Sequence, residues 1–92
     1  MDIEWDPAKA ASNLQKHGIR FSDAEPAFYD GFALSMPDPF SMSEERFVLI
    51  GSDAIGRILT ISYTYRDKAL RIISARRATA SERSEYEKGI RL

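Results

Sequence analysis

Three strand-like runs follow one another so closely that each can pair only with its immediate neighbours. Residues 47–51, 57–65 and 69–75 are rich in Ile, Leu, Val, Thr and Tyr, the residue types that favour strands. The connections between them, 52–56 and 66–68, are far shorter than a crossover between parallel strands requires. The three runs therefore predict an antiparallel meander, which commits nearly a third of the chain to one sheet.

A helix is predicted near the start of the chain. Asp6 is a favourable N-cap, and Pro7 occupies the first helical position, where its missing N–H costs nothing. Gly18 is suited to end the helix in a left-handed conformation. These signals predict a helix over Pro7–His17, and the alternation at residues 3–5 allows a short edge strand before it.

Two further helices are predicted from their capping signals. Residues 21–30 predict a second, shorter helix, although Pro26 removes a backbone donor that a regular α-helix needs there. Thr79 and Glu82 have capping-box spacing and predict a last helix from residue 80 to about 89.

The resulting order is β-α-α-β-β-β-β-α, with an additional strand at 32–36 and a turn-rich loop at 37–43. This order predicts a single α+β domain over residues 1–92, in which helices pack on one face of an antiparallel sheet of four to five strands. Within the strand at 57–65 the more apolar alternate positions predict the helix-covered side. Those positions are Leu59, Ile61, Tyr63 and Tyr65.

The two halves of the chain carry opposite charge. Residues 1–45 hold nine acidic and three basic side chains, whereas residues 46–92 hold five acidic and ten basic ones. Such asymmetry lets one surface bind phosphates while another repels them, although two unequally charged solvated faces would give the same count. The chain has no cysteine, which excludes disulfides and thiolate metal sites. Its acidic start and the lack of a membrane-length apolar run predict a cytoplasmic protein with no membrane contact.

His17 is the only histidine and is therefore the first candidate for proton transfer. At the end of the first predicted helix, its imidazolium would be favoured by the negative end of the helix dipole. A histidine there can also serve only as a cap for the last carbonyls. Lys9 and Lys16 lie two turns apart on one helix face and form either a basic stripe beside His17 or ordinary surface positions. A single histidine among scattered carboxylates argues against a metal site.

Arginines at the end of the last strand are the second candidate. Strict alternation places Arg71 and Arg77 on one side of the strand and Arg76 on the other. Guanidinium groups suit phosphate because they stay charged and offer forked donors, and they can stabilise a phosphorane. The structural alternative is pairing with acids, for which the candidates are Asp38, Glu44 and Glu45. The tyrosines, Tyr63 among them, either stack on unpaired bases or pack in the core.

The chain resembles the BrnT family of toxins over nearly its whole length, and four segments carry this resemblance. The matching segments are EWDPAK at 4–9, NLQKHGIRF at 13–21, ERFVLIG at 45–51 and RIISARRAT at 71–79. The resemblance implies a RelE-type fold and an endoribonuclease that needs no metal or other cofactor and arrests growth. It marks His17, Arg46, Arg71 and Arg76 as catalytic positions. Lys9, Lys16, Tyr63 and Arg77 are the RNA-binding candidates.

The same resemblance implies a partner. Toxins of this family are neutralised by a BrnA-type antitoxin with a ribbon-helix-helix domain, and the expected complex holds two toxins and two antitoxins. Operator DNA would be bound only through the antitoxin. We expect an antitoxin segment that orders on binding to cover apolar surface beside the arginines, with acidic side chains masking them.

Two other functions fit the sequence less fully. A binding module without catalysis would use the arginine strand only to dock an acidic antitoxin segment. A sequence-specific DNA binder is the weakest reading, because no predicted helix is basic enough to fill a major groove.

Overall fold

A five-stranded sheet forms the centre of the molecule, in a computed structural model that describes residues 1–41 and 45–90. Its strands are β1 (Asp2–Trp5), β2 (Leu34–Pro37), β3 (Phe47–Ser52), β4 (Ile58–Arg66) and β5 (Ala69–Arg77). The helices are α1 (Pro7–His17), α2 (Phe21–Ala24) and α3 (Ala80–Lys88), and a 3₁₀ helix, Glu25–Tyr29, directly follows α2. Within the described residues no helix has both the length and the apolar content needed to cross a bilayer.

The predicted meander is confirmed, but the sheet is mixed and not purely antiparallel. Strands β2 to β5 pair antiparallel in sequence order, while β1 pairs with β5 in parallel, from Asp2 opposite Ala69 to Trp5 opposite Ile72. Helices α1 and α2 carry the chain from β1 at one edge of the sheet to β2 at the other. Strand β1 therefore lies at the β5 edge of the meander, and it runs in the same direction as β5.

The predicted core face is also confirmed. Leu59 and Ile61 are fully buried, and Tyr63 is 4% exposed. They pack against the residues of α2 and its flanks, Ile19, Phe21, Ala24 and Ala27. Burial of these apolar side chains supplies most of the favourable free energy of a domain of this size.

The opposite face of the sheet, which we call the outer face, is covered only in part, by α3. The hydroxyl of Thr60 donates to Glu82 of α3, and Thr60 alternates with the core residues Leu59 and Ile61. Tyr86 of α3 is buried, and its hydroxyl donates to Asp30 at the end of the 3₁₀ helix. The prediction that all helices pack on one face is therefore wrong for α3, because this helix is attached by polar contacts that alternation does not reveal.

A β-bulge in β5 changes which side chains share a face. Ser74 pairs with Ser62 and Ile72 pairs with Tyr63, so Ile73 is an extra residue without a partner in β4. Such an insertion shifts the alternation by one position. The side chains on the two sides of the bulge are consequently placed opposite to what strict alternation predicts.

The first predicted helix has the predicted bounds, and the second does not. Asp6 caps α1 by accepting from the N–H of Ala8 at 2.9 Å. The segment at 21–30 begins as α2 but tightens into the 3₁₀ helix, with Pro26 in its first turn. Proline is tolerated there because first-turn N–H groups have no helical partner. Of the predicted loop at 37–43, residues 42 and 43 lie outside the described part of the chain.

Candidate functional site

A basic groove runs along one flank of α1, and we call it the His17 groove. It has a volume of about 150 Å³ and is lined by Lys9, Ser12, Asn13, Lys16, His17, Ile73 and Ser74. Both lysines and the histidine are exposed, and among residues 1–41 and 45–90 no carboxylate belongs to the lining. Lys9 and Lys16 are seven residues apart, which corresponds to about 10.5 Å along the helix axis. The structure thus brings together three of the predicted site residues.

The end of α1 places His17 beside the helix carbonyls. Gly18 adopts a left-handed conformation with φ of 71°, and its N–H donates to the carbonyl of Leu14 at 2.8 Å. A residue with a side chain is strained at this φ, which explains why glycine follows the histidine. The imidazole therefore lies at the negative end of the helix dipole and is open to solvent.

Asn13 holds the helix against the edge of the sheet. Its amide nitrogen donates to the carbonyls of Ala75 at 2.8 Å and Ile19 at 2.9 Å, while its oxygen accepts from the N–H of Ala75 at 3.0 Å. This side chain pairs with β5 just beyond Ile72, where pairing with β1 stops. Sequence reasoning missed Asn13, although a buried asparagine inside an 11-residue helix is itself a signal, since asparagine is a weak helix former.

The bulge gathers two of the predicted arginines on the outer face. Arg71 pairs with Thr64 and Arg76 pairs with Thr60, so both point to the side opposite the core. Thr60 and Thr64 are four residues apart on β4, which corresponds to about 13 Å along the strand. Arg77 pairs with Leu59 and lies on the other side, exposed at the end of the strand. The predicted parity, with Arg71 and Arg77 together, is therefore wrong because Ile73 shifts the alternation.

Arg46 extends the same face. It precedes Phe47, which packs against the core, so alternation directs Arg46 to the outer face. Its carbonyl accepts from the N–H of Asp38 at 2.8 Å, which ties the start of β3 to the turn after β2.

Arg76 is paired with a carboxylate, which is the structural alternative to phosphate binding. The carboxylate belongs to Glu82, which was not among the predicted partners. Two guanidinium nitrogens donate to the two carboxylate oxygens at 2.7 and 2.9 Å. Glu82 also accepts from the N–H of Thr79 and the hydroxyl of Thr60. The Arg76 bond is the main reason that the pKa of Glu82 falls to about 2, against the opposing effect of burial. Glu82 stays ionised near neutral pH and is unsuited to act as a general acid.

The lowered pKa of Glu82 predicts acid sensitivity. Since the folded pKa lies below the unfolded value of 4.5, the Glu82 carboxylate stabilises the fold above about pH 4.5, and this contribution is lost as the pH falls towards 2. We expect Glu82→Gln to lower the free energy of unfolding by about 1–3 kcal/mol at pH 7 and to flatten its pH dependence between 4.5 and 2. Urea denaturation at several pH values measures both effects. Glu85→Gln, an exposed change on the same helix, is the control and should alter neither.

Arg71 is less fully engaged than Arg76. Its Nε lies 3.8 Å from a carboxylate oxygen of Glu4, too far for a hydrogen bond, and this buried nitrogen has no hydrogen-bond partner within the described residues. Of the acids named as candidate partners, Asp38 and Glu45 appear in no ion pair with it, and Glu44 lies outside the described residues.

Tyr63 is not placed to stack on a base. Its side chain is buried, its hydroxyl shares a hydrogen bond with Ser35, and its ring packs against Phe28 and Phe47. Burial raises the pKa of the Tyr63 hydroxyl above its usual range. The neighbouring Tyr65 is 60% exposed and in edge contact with the same cluster.

Ser74 lies between the His17 groove and the arginines of the outer face. It lines the His17 groove, and by its pairing with Ser62 it also belongs to the face that carries Arg71 and Arg76. Across residues 1–41 and 45–90, no three His, Cys, Asp or Glu side chains are grouped closely enough to hold a metal ion. Within the His17 groove, the groups available for chemistry are an imidazole, lysines and the hydroxyls of Ser12 and Ser74.

The sequence and the fold are similar to those of known toxins. Residues 5–82 match the sequence model of a family described as the ribonuclease toxin BrnT of type II toxin–antitoxin systems. The crystal structure of the Brucella abortus ribonuclease toxin BrnT, at 1.1 Å resolution, superposes with a TM-score of 0.64 and 28% sequence identity. The match covers 86% of this chain and 97% of the Brucella chain. No curated protein matches the chain. The family match spans most of the chain, including α1, strands β2 to β5 and Glu82, and the chain therefore belongs to the BrnT family of ribonuclease toxins from type II toxin–antitoxin systems.

Proposed function

We propose that this chain is an endoribonuclease toxin that cleaves RNA without a metal ion, and that the His17 groove holds the phosphate at which cleavage occurs. One observation carries the proposal. The fold brings Lys9, Lys16 and His17 into a groove that no carboxylate of the described residues lines. Cations that are not compensated, beside a group able to transfer a proton, are what phosphodiester cleavage needs from a protein.

The chemistry uses the RNA's own nucleophile. The 2′-hydroxyl attacks the adjacent phosphorus as its proton is removed, and the bond from phosphorus to the 5′-oxygen of the next nucleotide breaks as that oxygen takes up a proton. The products are a 2′,3′-cyclic phosphate and a 5′-hydroxyl. We assign proton transfer to His17, whose imidazole is exposed and lines the His17 groove. Lys9 and Lys16 stabilise the charge on the phosphate oxygens.

The arginines have different roles in this proposal. Arg71, whose side chain is 27% exposed, binds the RNA strand where it passes from Ser74 to the outer face. Arg46 extends the path of the RNA along the outer face, and Arg77 binds the RNA backbone at the end of β5. Arg76 is held by Glu82 in two hydrogen bonds, so we assign it to the support of α3 and only through that support to activity.

In the cell, the proposed activity arrests growth in the cytoplasm until a BrnA-type antitoxin binds. The expected assembly contains two toxins and two antitoxins, because ribbon-helix-helix domains pair, and it contacts operator DNA through the antitoxin alone. A RelE-like fold is part of the same proposal. These statements rest on membership of the toxin family together with the charge of the His17 groove.

Cleavage of RNA by the purified chain in excess EDTA tests the proposal. The chain should cut single-stranded RNA at the same rate with and without EDTA, and the fragments should end in a cyclic phosphate. An RNA with a 2′-deoxy nucleotide at the cut site should stay intact. Cleavage that stops in EDTA would contradict metal independence. No cleavage under either condition would instead favour a binding module that only docks its antitoxin.

A further inference from the structure

A second groove, which we call the outer groove, lies on the outer face of the sheet. It has a volume of about 530 Å³ and is bounded by β2, the turn after it, the outer face of β3 and β4, and the start of α3. Its walls are mainly apolar and include Met36, Phe40 and Val48. This groove is distinct from the His17 groove, since the two have no lining residue in common.

Exposed apolar side chains of the outer groove lie on and beside a restrained turn of the backbone. Phe40 is 86% exposed and Met36 is 41% exposed. The N–H of Phe40 donates to the Asp38 carboxylate at 2.9 Å, and Pro37 and Pro39 restrict the backbone around it. A large apolar side chain exposed on a restrained backbone, next to an apolar groove, marks a surface that another molecule covers.

The charge of the outer groove is opposite to that of the His17 groove. Of the residues that the structure describes, three carboxylates line it, Asp38, Glu82 and Glu85, against a single cation, Arg76. That cation is already paired with Glu82 in two hydrogen bonds, while Glu85 pairs with the exposed Lys88. Such a lining repels RNA phosphates and attracts a basic group.

We propose that the outer groove is the docking site for a basic segment of the antitoxin, with apolar anchor residues and flanking lysines or arginines. This inference rests on the proposed toxin–antitoxin function. It reverses the expectation that acidic side chains of the antitoxin mask Arg76, because Glu82 within the chain already does so. The apolar walls supply affinity, and the carboxylates select positive charge on the segment.

Direct binding measurements test this docking site. The probe is the product of the gene beside this chain's own, together with peptides of about 15 residues that tile its sequence. The peptide that binds most tightly should carry apolar residues and a positive net charge. Phe40→Ser should weaken binding by about tenfold or more, as loss of a buried aromatic anchor does. Glu85→Gln should slow association and reduce its dependence on salt.

Ile55→Ser is the matched control, because Ile55 is 76% exposed on the turn between β3 and β4 and does not line the outer groove. It should bind like the wild type. The inference is overturned if Phe40→Ser binds like the control, if the tightest peptide is acidic, or if the neighbouring gene product does not bind at all. It is also overturned if Phe40→Ser slows RNA cleavage and leaves antitoxin binding unchanged, which would make the outer groove an RNA surface. Because the EDTA assay is independent of these binding data, the docking site and the ribonuclease activity can fail separately.

Discussion

Replacing His17 by glutamine is expected to slow RNA cleavage by roughly 10²- to 10⁴-fold, the usual contribution of a positioned acid or base. Glutamine keeps a polar side chain at the end of α1 but cannot transfer a proton. Because His17 is exposed, the free energy of unfolding of the variant should lie within about 0.5 kcal/mol of that of the wild type. Single-turnover cleavage with a labelled RNA measures the rate, and the wild-type pH profile should contain a step that the variant lacks.

Gln15→Ala is the matched control for this variant. Gln15 is exposed on α1 and does not line the His17 groove, so its removal should leave the rate unchanged. An unchanged rate and pH profile in His17→Gln would return the histidine to the role of a helix cap. Equal losses in both variants would indicate that α1 as a whole, and not the imidazole, matters for cleavage.

Asn13→Ala should lower the free energy of unfolding by about 3–5 kcal/mol, a large part of the roughly 5–15 kcal/mol that stabilises a typical domain. Alanine leaves three buried backbone groups without partners, the two carbonyls of Ile19 and Ala75 and the N–H of Ala75. The melting temperature should fall by roughly 15–30 °C. Urea denaturation followed by circular dichroism gives the free energy directly.

Asn13→Asp refines this prediction. The carboxylate can still accept from the N–H of Ala75, but it faces the carbonyls of Ile19 and Ala75 without a donor. This variant should therefore also be strongly destabilised, whereas Gln15→Ala should be close to the wild type. Stability within 1 kcal/mol of the wild type in Asn13→Ala would mean that the edge of β5 does not depend on this side chain.

Local signals were sufficient for most of the elements. The caps at Asp6 and Gly18 determine the bounds of α1, and Thr79 with Glu82 determines the start of α3. The short connections fix the meander, because strands joined so closely can pair only with one another. Each of these features depends on residues within a few positions of one another, and a sequence pattern records such features well.

The pairing of β1 and the bulge in β5 depend on distant residues. Nothing within residues 2–5 states that they will run parallel to β5. The bulge does leave a trace, since strict alternation from Leu70 and Ile72 would send Ser74 into the core and Ala75 outward. The insertion at Ile73 instead buries Ala75 completely. Two adjacent isoleucines followed by this mismatch are the signal that could have predicted that Arg71 and Arg76 share a face.

The candidate site was predictable as a set of residues but not as a geometry. Lys9, Lys16 and His17 follow from helical spacing, and the structure places them in one groove. The sequence did not reveal that Glu82 neutralises Arg76, because that contact depends on which face of the sheet α3 covers. Tyr86 is the only buried residue of α3. The apolar pattern of this helix therefore could not have indicated which face of the sheet it covers.

Mapping where RNA binds is the most direct test of the His17 groove as the cleavage site. A short single-stranded RNA with 2′-O-methyl groups cannot be cleaved, and it can be titrated into the ¹⁵N-labelled chain while amide shifts are followed by NMR. The account predicts the largest shifts at Ser12, Lys16, His17 and Ser74, which line the His17 groove. Shifts concentrated instead at Met36, Phe40 and Ser81, around the outer groove, would contradict it.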